Sequence, residues 1–340
     1  MASKDNVAAL SASIGASAVS TRHVVLVAFD GVEAIDVAGP ASALSKAAGY
    51  VPGAYRLTIA SPSGGDVRTN AGLAIAATES LSAVAVPIDT LIVAGGDEPA
   101  LRAAIVEQGV GEWVARMAPV VRRVASVCTG AFALAAAGIL DGRQCTTHRN
   151  ACAMLQSMFP KAHVLNDPIY VRDDGLWTSA GVTTGLDMTL AMIAADLGQP
   201  VAIEIARNLA VHMLRGSTES QESRTLAAQA GATPRVRGLV TWIMNNLSGD
   251  LSVEAMAQRV LMSPRNLARA FVAETGSTPA AFVTRARLER ATTLLLQTDW
   301  PQERIASESG FRSVDAFQRA FGREKGCTPN MYRSNGGQSV

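Results

Sequence analysis

A repeat in the C-terminal third of the 340-residue chain is the feature that most constrains its fold. The stretches Ser252–Phe282 and Arg304–Arg333 share one order of parts. Each begins with a short helix that has an apolar face, passes through a tight turn and continues into a second helix that closes on Gly-x-Thr-Pro. Residues 261–263 form the predicted turn of the first copy, and Gly310 forms that of the second. Two helix-turn-helix copies predict an all-α unit that reads DNA.

The second helix of each copy presents long polar side chains opposite its apolar face. Ser263 and Ser313 stand where a hydroxyl can cap these helices, and Pro264 fills the first helical position of one of them. Arginine, asparagine and glutamine side chains can bond base edges in the major groove. The candidate DNA contacts are therefore Ser263, Arg265, Asn266, Arg269, Ser313, Asp315, Gln318, Arg319 and Arg323.

Charge separates the two ends of the chain. Lysine and arginine number 30 and aspartate and glutamate 29; from residue 233 onward they number 14 and 9, which leaves 16 and 20 for residues 1–232. All but one of the C-terminal cations are arginine, which suits phosphates and guanine edges. A solvated basic face would have a similar composition, so charge supports DNA binding without proving it.

The N-terminal part of the chain alternates between short β-branched runs and helical runs. The predicted strands are 23–29, 90–96, 122–127 and 176–181, and the predicted helices are 37–48, 101–117, 130–137 and 184–197. This alternation predicts an α/β layered domain with a largely parallel sheet. Ligands in such sheets bind at the carboxyl ends of the strands, so we expect a site among those loops.

Loops at that edge carry candidate ligand-binding residues. Cys128 follows one strand directly and precedes a small-residue helix, which predicts a sharp turn and a thiolate favoured by helical amides. Asp36 follows the first strand and, if protonated, would donate a hydrogen bond to that thiolate or to a ligand. A glycine pair follows another strand, with amides expected to be free for an oxyanion. The candidate ligand-binding residues are Asp36, Gly95, Gly96, Cys128, Thr129 and His148.

Three interpretations of Cys128 are open: a small buried apolar side chain, a residue that lines a ligand pocket, and a nucleophile. We expect binding rather than catalysis, because function belongs to the site and the neighbouring domain is predicted to read DNA. Cys145, His148 and Cys152 lie close in sequence, but they have no fourth ligand nearby. We therefore predict no metal site, and the absence of a nucleotide-binding motif predicts no cofactor.

The stretch 234–333 resembles the AraC/XylS family of transcriptional regulators. The resemblance is carried by IASESGF at 305–311, by AF-x-R-x-F at 316–321 and by G-x-TP-x-x-YR at 326–333. It implies two helix-turn-helix units joined by one long helix, residues 279–296. That helix would hold the two recognition helices about 34 Å apart, one turn of the duplex.

Residues 23–212 resemble the class I glutamine-amidotransferase-like superfamily, in the ThiJ/PfpI version that is fused to AraC-type regulators. The matching segments are 29–40, 91–96, 126–142, 146–148 and 178–190. The resemblance implies a flavodoxin-like fold, with the superfamily's cysteine at Cys128, its acidic partner at Asp36 and its histidine at His148. Residue 129 is threonine, so the Cys-His neighbour pair of PfpI-type peptidases is missing. Arg149 stands where the fused regulators usually carry tryptophan, which changes the shape or polarity expected of the pocket.

The remaining segments set the domain boundaries. We predict a disordered leader at 1–21, an α/β ligand-sensing domain at 22–213, a linker at 214–234 and an AraC-type DNA-binding domain at 235–335. The four cysteines show no disulfide framework, and no apolar run is long enough to span a membrane. We therefore expect a reduced, cytoplasmic setting.

Together these patterns predict a sequence-specific transcriptional regulator that senses a small metabolite, and the resemblance favours an activator. Its expected partners are double-stranded DNA, a small-molecule effector, RNA polymerase and a second copy of the chain. The alternative is a cysteine-dependent small-molecule enzyme of the isocyanide-hydratase kind, with Cys128 as its nucleophile.

Overall fold

The computed structural model describes residues 20–211, 216–217, 221 and 233–334. The chain divides into two compact units between residues 221 and 222. Nearly all of the predicted leader and most of the predicted linker lie outside the described residues, so the predicted domain boundaries stay predictions.

The N-terminal unit is built on a mostly parallel sheet. Its strands, within the described residues, are β1 (Arg22–Val27), β2 (Tyr55–Ser61), β3 (Gly65–Arg68), β4 (Ala74–Ser80), β5 (Thr90–Val93), β6 (Arg123–Val127), β9 (Tyr170–Asp173) and β10 (Leu176–Ser179). They run in the order β3-β4-β2-β1-β5-β6-β10-β9, with β3 and β9 antiparallel at the edges and the strands between them parallel. The short strands β7 (Gln144–Cys145) and β8 (His163–Val164) form a separate parallel pair.

Helices cover both faces of the sheet, as apolar central strands require. Every residue of β5 and β6 is buried. The helices are α1 (Ala34–Tyr50), α2 (Glu98–Val106), α3 (Val110–Met117), α4 (Ala131–Ala136), α5 (Arg149–Met158), α6 (Thr183–Leu197) and α7 (Gln199–Asn208). The predicted α/β layered fold is confirmed, but the single helix predicted at 101–117 is wrong. Gly109 adopts a φ of 77°, the left-handed conformation, and separates α2 from α3.

The C-terminal unit is all-α and contains both predicted helix-turn-helix pairs. Its helices are α8 (Pro234–Asn245), α9 (Val253–Arg259), α10 (Pro264–Thr275), α11 (Pro279–Gln297), α12 (Gln302–Glu308), α13 (Val314–Lys325) and α14 (Pro329–Ser334). The pairs α9–α10 and α12–α13 each have their own apolar core, and α11 contributes to both. Phe282 and Val283 of α11 pack in the first core, whereas Leu288 and Leu295 pack in the second.

One arginine of α11 ties the two helix-turn-helix pairs together. Arg287 donates from Nε to the carbonyl of Leu247 at 2.9 Å and from Nη2 to the carbonyl of Gly249 at 3.2 Å. Gly310, in the turn between α12 and α13, adopts a φ of 85° and lies against the same groups. A Cβ at Gly310 would collide with the Leu247 carbonyl oxygen and lie 2.8 Å from the Arg287 Nε. The turn glycine is therefore required both by its conformation and by the close approach.

We expect Gly310→Ala to destabilise the C-terminal unit by about 2 to 4 kcal/mol, because strain at positive φ adds to the collision. The matched control is Gly326→Ala, which has a φ of 71° but no atom within 4 Å of the added Cβ. That change should cost only about 1 kcal/mol. Hydrogen exchange of peptides from residues 233–334 in the full chain measures both losses of stability. Equal losses for the two variants would contradict the close packing of Gly310 against Leu247 and Arg287.

Candidate functional site

Cys128 occupies a sharp turn between β6 and α4, at the carboxyl edge of the sheet. Its φ is 53°, and residues Cys128–Gly130 form a single 3-10 turn. Two glycines lie so close to Cys128 that a side chain on either would overlap it. A Cβ at Gly181 would lie 2.7 Å from the Cys128 Sγ, and a Cβ at Gly95 would lie 2.7 Å from the Cys128 Cβ. Backbone from the loops that follow β5 and β10 therefore packs closely against Cys128, which stays partly exposed.

Asp36, in the first turn of α1, joins these loops. Its carboxylate is fully buried. Oδ2 accepts the amide of Gly95 at 3.2 Å, and Oδ1 accepts the amide of Val182 at 2.7 Å. One carboxylate thus fixes the loops that follow β5 and β10, on both sides of the Cys128 turn.

The amides of the glycine pair are bonded within the fold, so the expectation that they are free is wrong, while a role of Gly95 and Gly96 in ligand binding stays a prediction. The Gly95 amide is bonded to Asp36, and the Gly96 amide donates to the Thr129 Oγ1 at 3.0 Å. The Thr129 hydroxyl in turn donates to the carbonyl of Gly96 at 3.0 Å. These bonds hold the loop after β5 to Asp36 and to the Cys128 turn.

The expectation that Cys128 is a thiolate is also wrong. Burial, reinforced by the negative charge of Asp36, raises the pKa of the Cys128 thiol to about 12. Burial raises the pKa of Asp36 to about 6, while the bonds that its carboxylate accepts from Val182, Gly95 and the Cys128 thiol oppose that rise. At neutral pH, Asp36 is therefore mainly an ionised acceptor and the thiol is the donor. The predicted roles, with Asp36 as donor and Cys128 as acceptor, are reversed.

His148 reaches this site only indirectly in the described contacts. Its Nδ1 accepts the amide of Asn150 at 3.4 Å, so the ring caps α5. The preceding residue, Thr147, is buried and donates from Oγ1 to the Cys128 carbonyl at 2.8 Å. Arg149 is exposed at the start of α5.

Sequence reasoning missed three residues of the site: Thr147, Gly181 and Val182. All three lie inside the segments 146–148 and 178–190 that carry the family resemblance. Position after β10 could have singled out Gly181 and Val182, because parallel strands bring their carboxyl ends to one edge.

The two candidate recognition helices, α10 and α13, are capped as predicted. The Ser263 Oγ accepts the amide of Asn266 at 3.3 Å, and the Ser313 Oγ accepts the amide of Ala316 at 3.1 Å. The remaining candidates are all exposed: Arg265, Asn266, Arg269, Asp315, Gln318, Arg319 and Arg323. Arg269 and Arg319 occupy equivalent positions, six residues after each cap. A base contact by any of them stays a prediction.

Several polar side chains of this unit have internal partners. The Gln318 amide donates to the Gln302 Oε1 at 2.8 Å, so part of it is committed within the unit. The Arg290 Nε donates to the Glu308 carbonyl at 2.9 Å, and the Arg333 Nη2 donates to the Trp300 carbonyl at 2.8 Å. Part of the C-terminal cationic excess therefore stabilises the fold.

Two findings concern other kinds of site. None of the described helices is both long enough and apolar enough to cross a membrane. In the part of the chain that the structure describes, no three His, Cys, Asp or Glu side chains are grouped so that they could hold a metal ion.

Comparison with known proteins agrees with this geometry. Residues 22–195, just over half of the chain, match the DJ-1/PfpI family. The chain belongs to the DJ-1/PfpI family. Residues 256–335, which include most of the repeat, match a helix-turn-helix domain. The two matches thus confirm the resemblance of the N-terminal part to the ThiJ/PfpI group and of the C-terminal part to AraC-type regulators.

The relatives include proteins named as transcriptional regulators. The chain is 29% identical over 212 residues to the HTH-type transcriptional regulator GbdR of Pseudomonas aeruginosa, a match that covers 62% of this chain and 58% of GbdR. It therefore spans less than two thirds of that relative. The chain is 30% identical over 261 residues to the HTH-type transcriptional regulator Rv1931c of Mycobacterium tuberculosis, covering 73% of this chain and 95% of the relative.

A solved structure shows the same fold. It is a ThiJ/PfpI family protein from Pseudomonas syringae, with a TM-score of 0.53 and 22% identity, and the match covers 68% of this chain and 90% of that one. At this identity the likeness concerns the fold alone.

We expect iodoacetamide to alkylate Cys128 at pH 8 about 10²-fold more slowly than an ordinary cysteine, because the small thiolate fraction outweighs the higher nucleophilicity of a high-pKa thiolate. Asp36→Asn should raise the rate about tenfold, since the carboxylate beside the thiol is removed. Glu33→Gln is the control, because the Glu33 charge raises the pKa of the Cys128 thiol less than Asp36 does. Peptide mapping by mass spectrometry separates Cys128 from the other cysteines. A parent rate like that of a free thiol would overturn the account.

Proposed function

We propose that this chain is a sequence-specific DNA-binding transcriptional regulator whose DJ-1/PfpI unit senses a small metabolite. The observation that carries the proposal is the pair of capped helices α10 and α13, with Arg269 and Arg319 exposed at equivalent positions. Helices of this kind enter the major groove, where arginine recognises guanine. The names of the relatives, which are regulators with a helix-turn-helix domain, support the same function.

The chemistry at Cys128 supports sensing rather than turnover. A nucleophilic cysteine needs thiolate character, whereas burial and the Asp36 carboxylate keep this thiol protonated. Several groups nevertheless fix the shape of the turn. They are a buried carboxylate, two close glycines and the hydroxyls of Thr129 and Thr147. We propose that a small molecule binds at this edge of the sheet near Cys128, and that His148 takes part.

The partners follow from the proposed function. We propose that the chain acts in the cytoplasm as a homodimer, which would pair two DNA-reading units on repeated half-sites. We further propose activation as its effect on transcription, with RNA polymerase as the protein partner.

The test is the affinity of the full chain for a site that it selects from a random DNA pool. Arg269→Ala should weaken binding to that site by about 1 to 3 kcal/mol, if Arg269 bonds guanine through both guanidinium nitrogens. Binding to unrelated DNA should change much less. Titrations across a salt series measure both affinities.

Arg235→Ala is the control for this substitution. Arg235 is an exposed arginine of α8, so the variant loses the same charge outside the recognition helices. It should leave the difference between selected and unrelated DNA unchanged. Equal losses for Arg269→Ala on both DNAs would make Arg269 a phosphate contact, and the absence of any selected site would contradict the proposed function.

A further inference from the structure

Gln221, the last residue of the N-terminal unit, is held on that unit by its side chain. Its Nε2 lies 3.1 Å from the Thr146 Oγ1, 3.0 Å from the Thr147 carbonyl and 3.1 Å from the Pro168 carbonyl. Its backbone amide donates to the Asp167 carbonyl at 2.8 Å. Both ends of the residue are thus anchored on the α/β unit.

The niche that receives Gln221 accepts an amide donor and disfavours an acid. Thr146 is fully buried and donates its hydroxyl proton to the Leu165 carbonyl at 2.8 Å, so its oxygen is left as an acceptor. The other two groups are carbonyl oxygens, which only accept. The glutamine NH2 group carries two hydrogens, which these three acceptors can share, whereas a carboxylate there would be repelled.

Thr147 links the group of acceptors around Gln221 to Cys128. The carbonyl of Thr147 accepts from Gln221, while its hydroxyl donates to the Cys128 carbonyl at 2.8 Å. Thr147 is fully buried. A shift of the Cys128 turn therefore displaces one of the groups that hold Gln221.

Gln221 is also the point from which the chain proceeds to the DNA-reading unit. The described part of that unit begins at Thr233, whose amide donates to the Glu274 carboxylate at 2.7 Å and whose hydroxyl donates to the same oxygen at 3.0 Å. Glu274 belongs to α10, the first candidate recognition helix. The stretch 222–232 therefore connects Gln221, which is bonded to Thr147, with Thr233, which is bonded to Glu274 of α10.

We propose that Gln221 is a latch that reports the state of the Cys128 turn to the connecting stretch. A ligand that displaces the turn would move Thr147, weaken the bonds to Gln221 and release the chain that leads to the DNA-reading unit. This proposal rests on the proposed function, because the latch would transmit the binding of the ligand that we propose for the same site. Coupling of this kind is reciprocal: release of Gln221 must loosen the Cys128 turn by the same factor.

Tryptic cleavage after Arg224, three residues beyond Gln221, measures the latch in the full chain. Cutting reports the population of the released form when release is fast relative to cleavage. Gln221→Ala should speed cutting about tenfold, the effect of losing about one net hydrogen bond. Gln221→Glu should speed it at least as much, because the acid is repelled. Gln108→Ala, a change at an exposed glutamine of the same unit, should have no effect.

Treatment with excess iodoacetamide, prolonged until the slowly reacting Cys128 is modified, measures the coupling. The adduct adds bulk at the Cys128 turn, so chains shown by peptide mapping to carry it at Cys128 should be cut after Arg224 about tenfold faster. Cys128→Ser treated in the same way controls for adducts at other cysteines. Thr147→Val keeps the carbonyl that holds Gln221 but removes the hydroxyl bond to Cys128, so the adduct should then leave cutting unchanged. Thr147→Ser should restore the response.

Two results would overturn the proposal. One is a cutting rate that does not change in Gln221→Ala and Gln221→Glu, which would mean that Gln221 holds nothing. The other is faster cutting in those variants with no effect of the Cys128 adduct, which would make Gln221 a merely structural anchor. None of these measurements uses DNA, so failure of the latch and failure of the proposed function are distinguishable.

Discussion

The carboxyl edge of the sheet depends on one buried carboxylate. Asp36 accepts amides from the loops after β5 and β10, and these loops enclose the Cys128 turn after β6. Removing an ionised carboxylate from water is costly, and the two backbone donors offset that cost. Its charge has a second effect, because it adds to burial in raising the pKa of the neighbouring Cys128 thiol. The carboxylate that holds the loops around the Cys128 turn therefore also lowers the reactivity of that cysteine.

The arginines of the C-terminal unit fall into two groups. Arg287, Arg290 and Arg333 take part in bonds to backbone carbonyls that join the long helix α11 to the segments on either side. Arg269 and Arg319 are exposed at equivalent positions of α10 and α13. The first three arginines help to fix the relation of the two repeats, whereas the other two are exposed on the candidate recognition helices.

Much of the fold could be predicted because its signals are local or periodic. The repeat, the serine caps and the turn at Gly310 depend on neighbouring residues, and the apolar runs of β1, β5 and β6 are typical of central parallel strands. Strands β2, β3, β4 and β9 were not predicted. They lie toward the sheet edges, where exposed positions interrupt the apolar pattern.

The chemistry of the site was harder to predict than its location. Asp36 and Val182 are 146 residues apart, and their bond decides that the carboxylate is an acceptor. The engaged amides of Gly95 and Gly96 likewise depend on Asp36 and Thr129, which approach only in the folded sheet. Sequence placed the candidate residues at one edge, but only the contacts between them fix the protonation state of Cys128.

Two DNA-reading helices on one chain should contact two successive major grooves on one face of the duplex. Hydroxyl-radical footprinting of the full chain on its selected site tests this most directly. We expect two protected windows for each bound chain, with centres about one helical turn, about 10 base pairs, apart. A single protected window would contradict the account, because it would mean that only one copy of the repeat reads DNA.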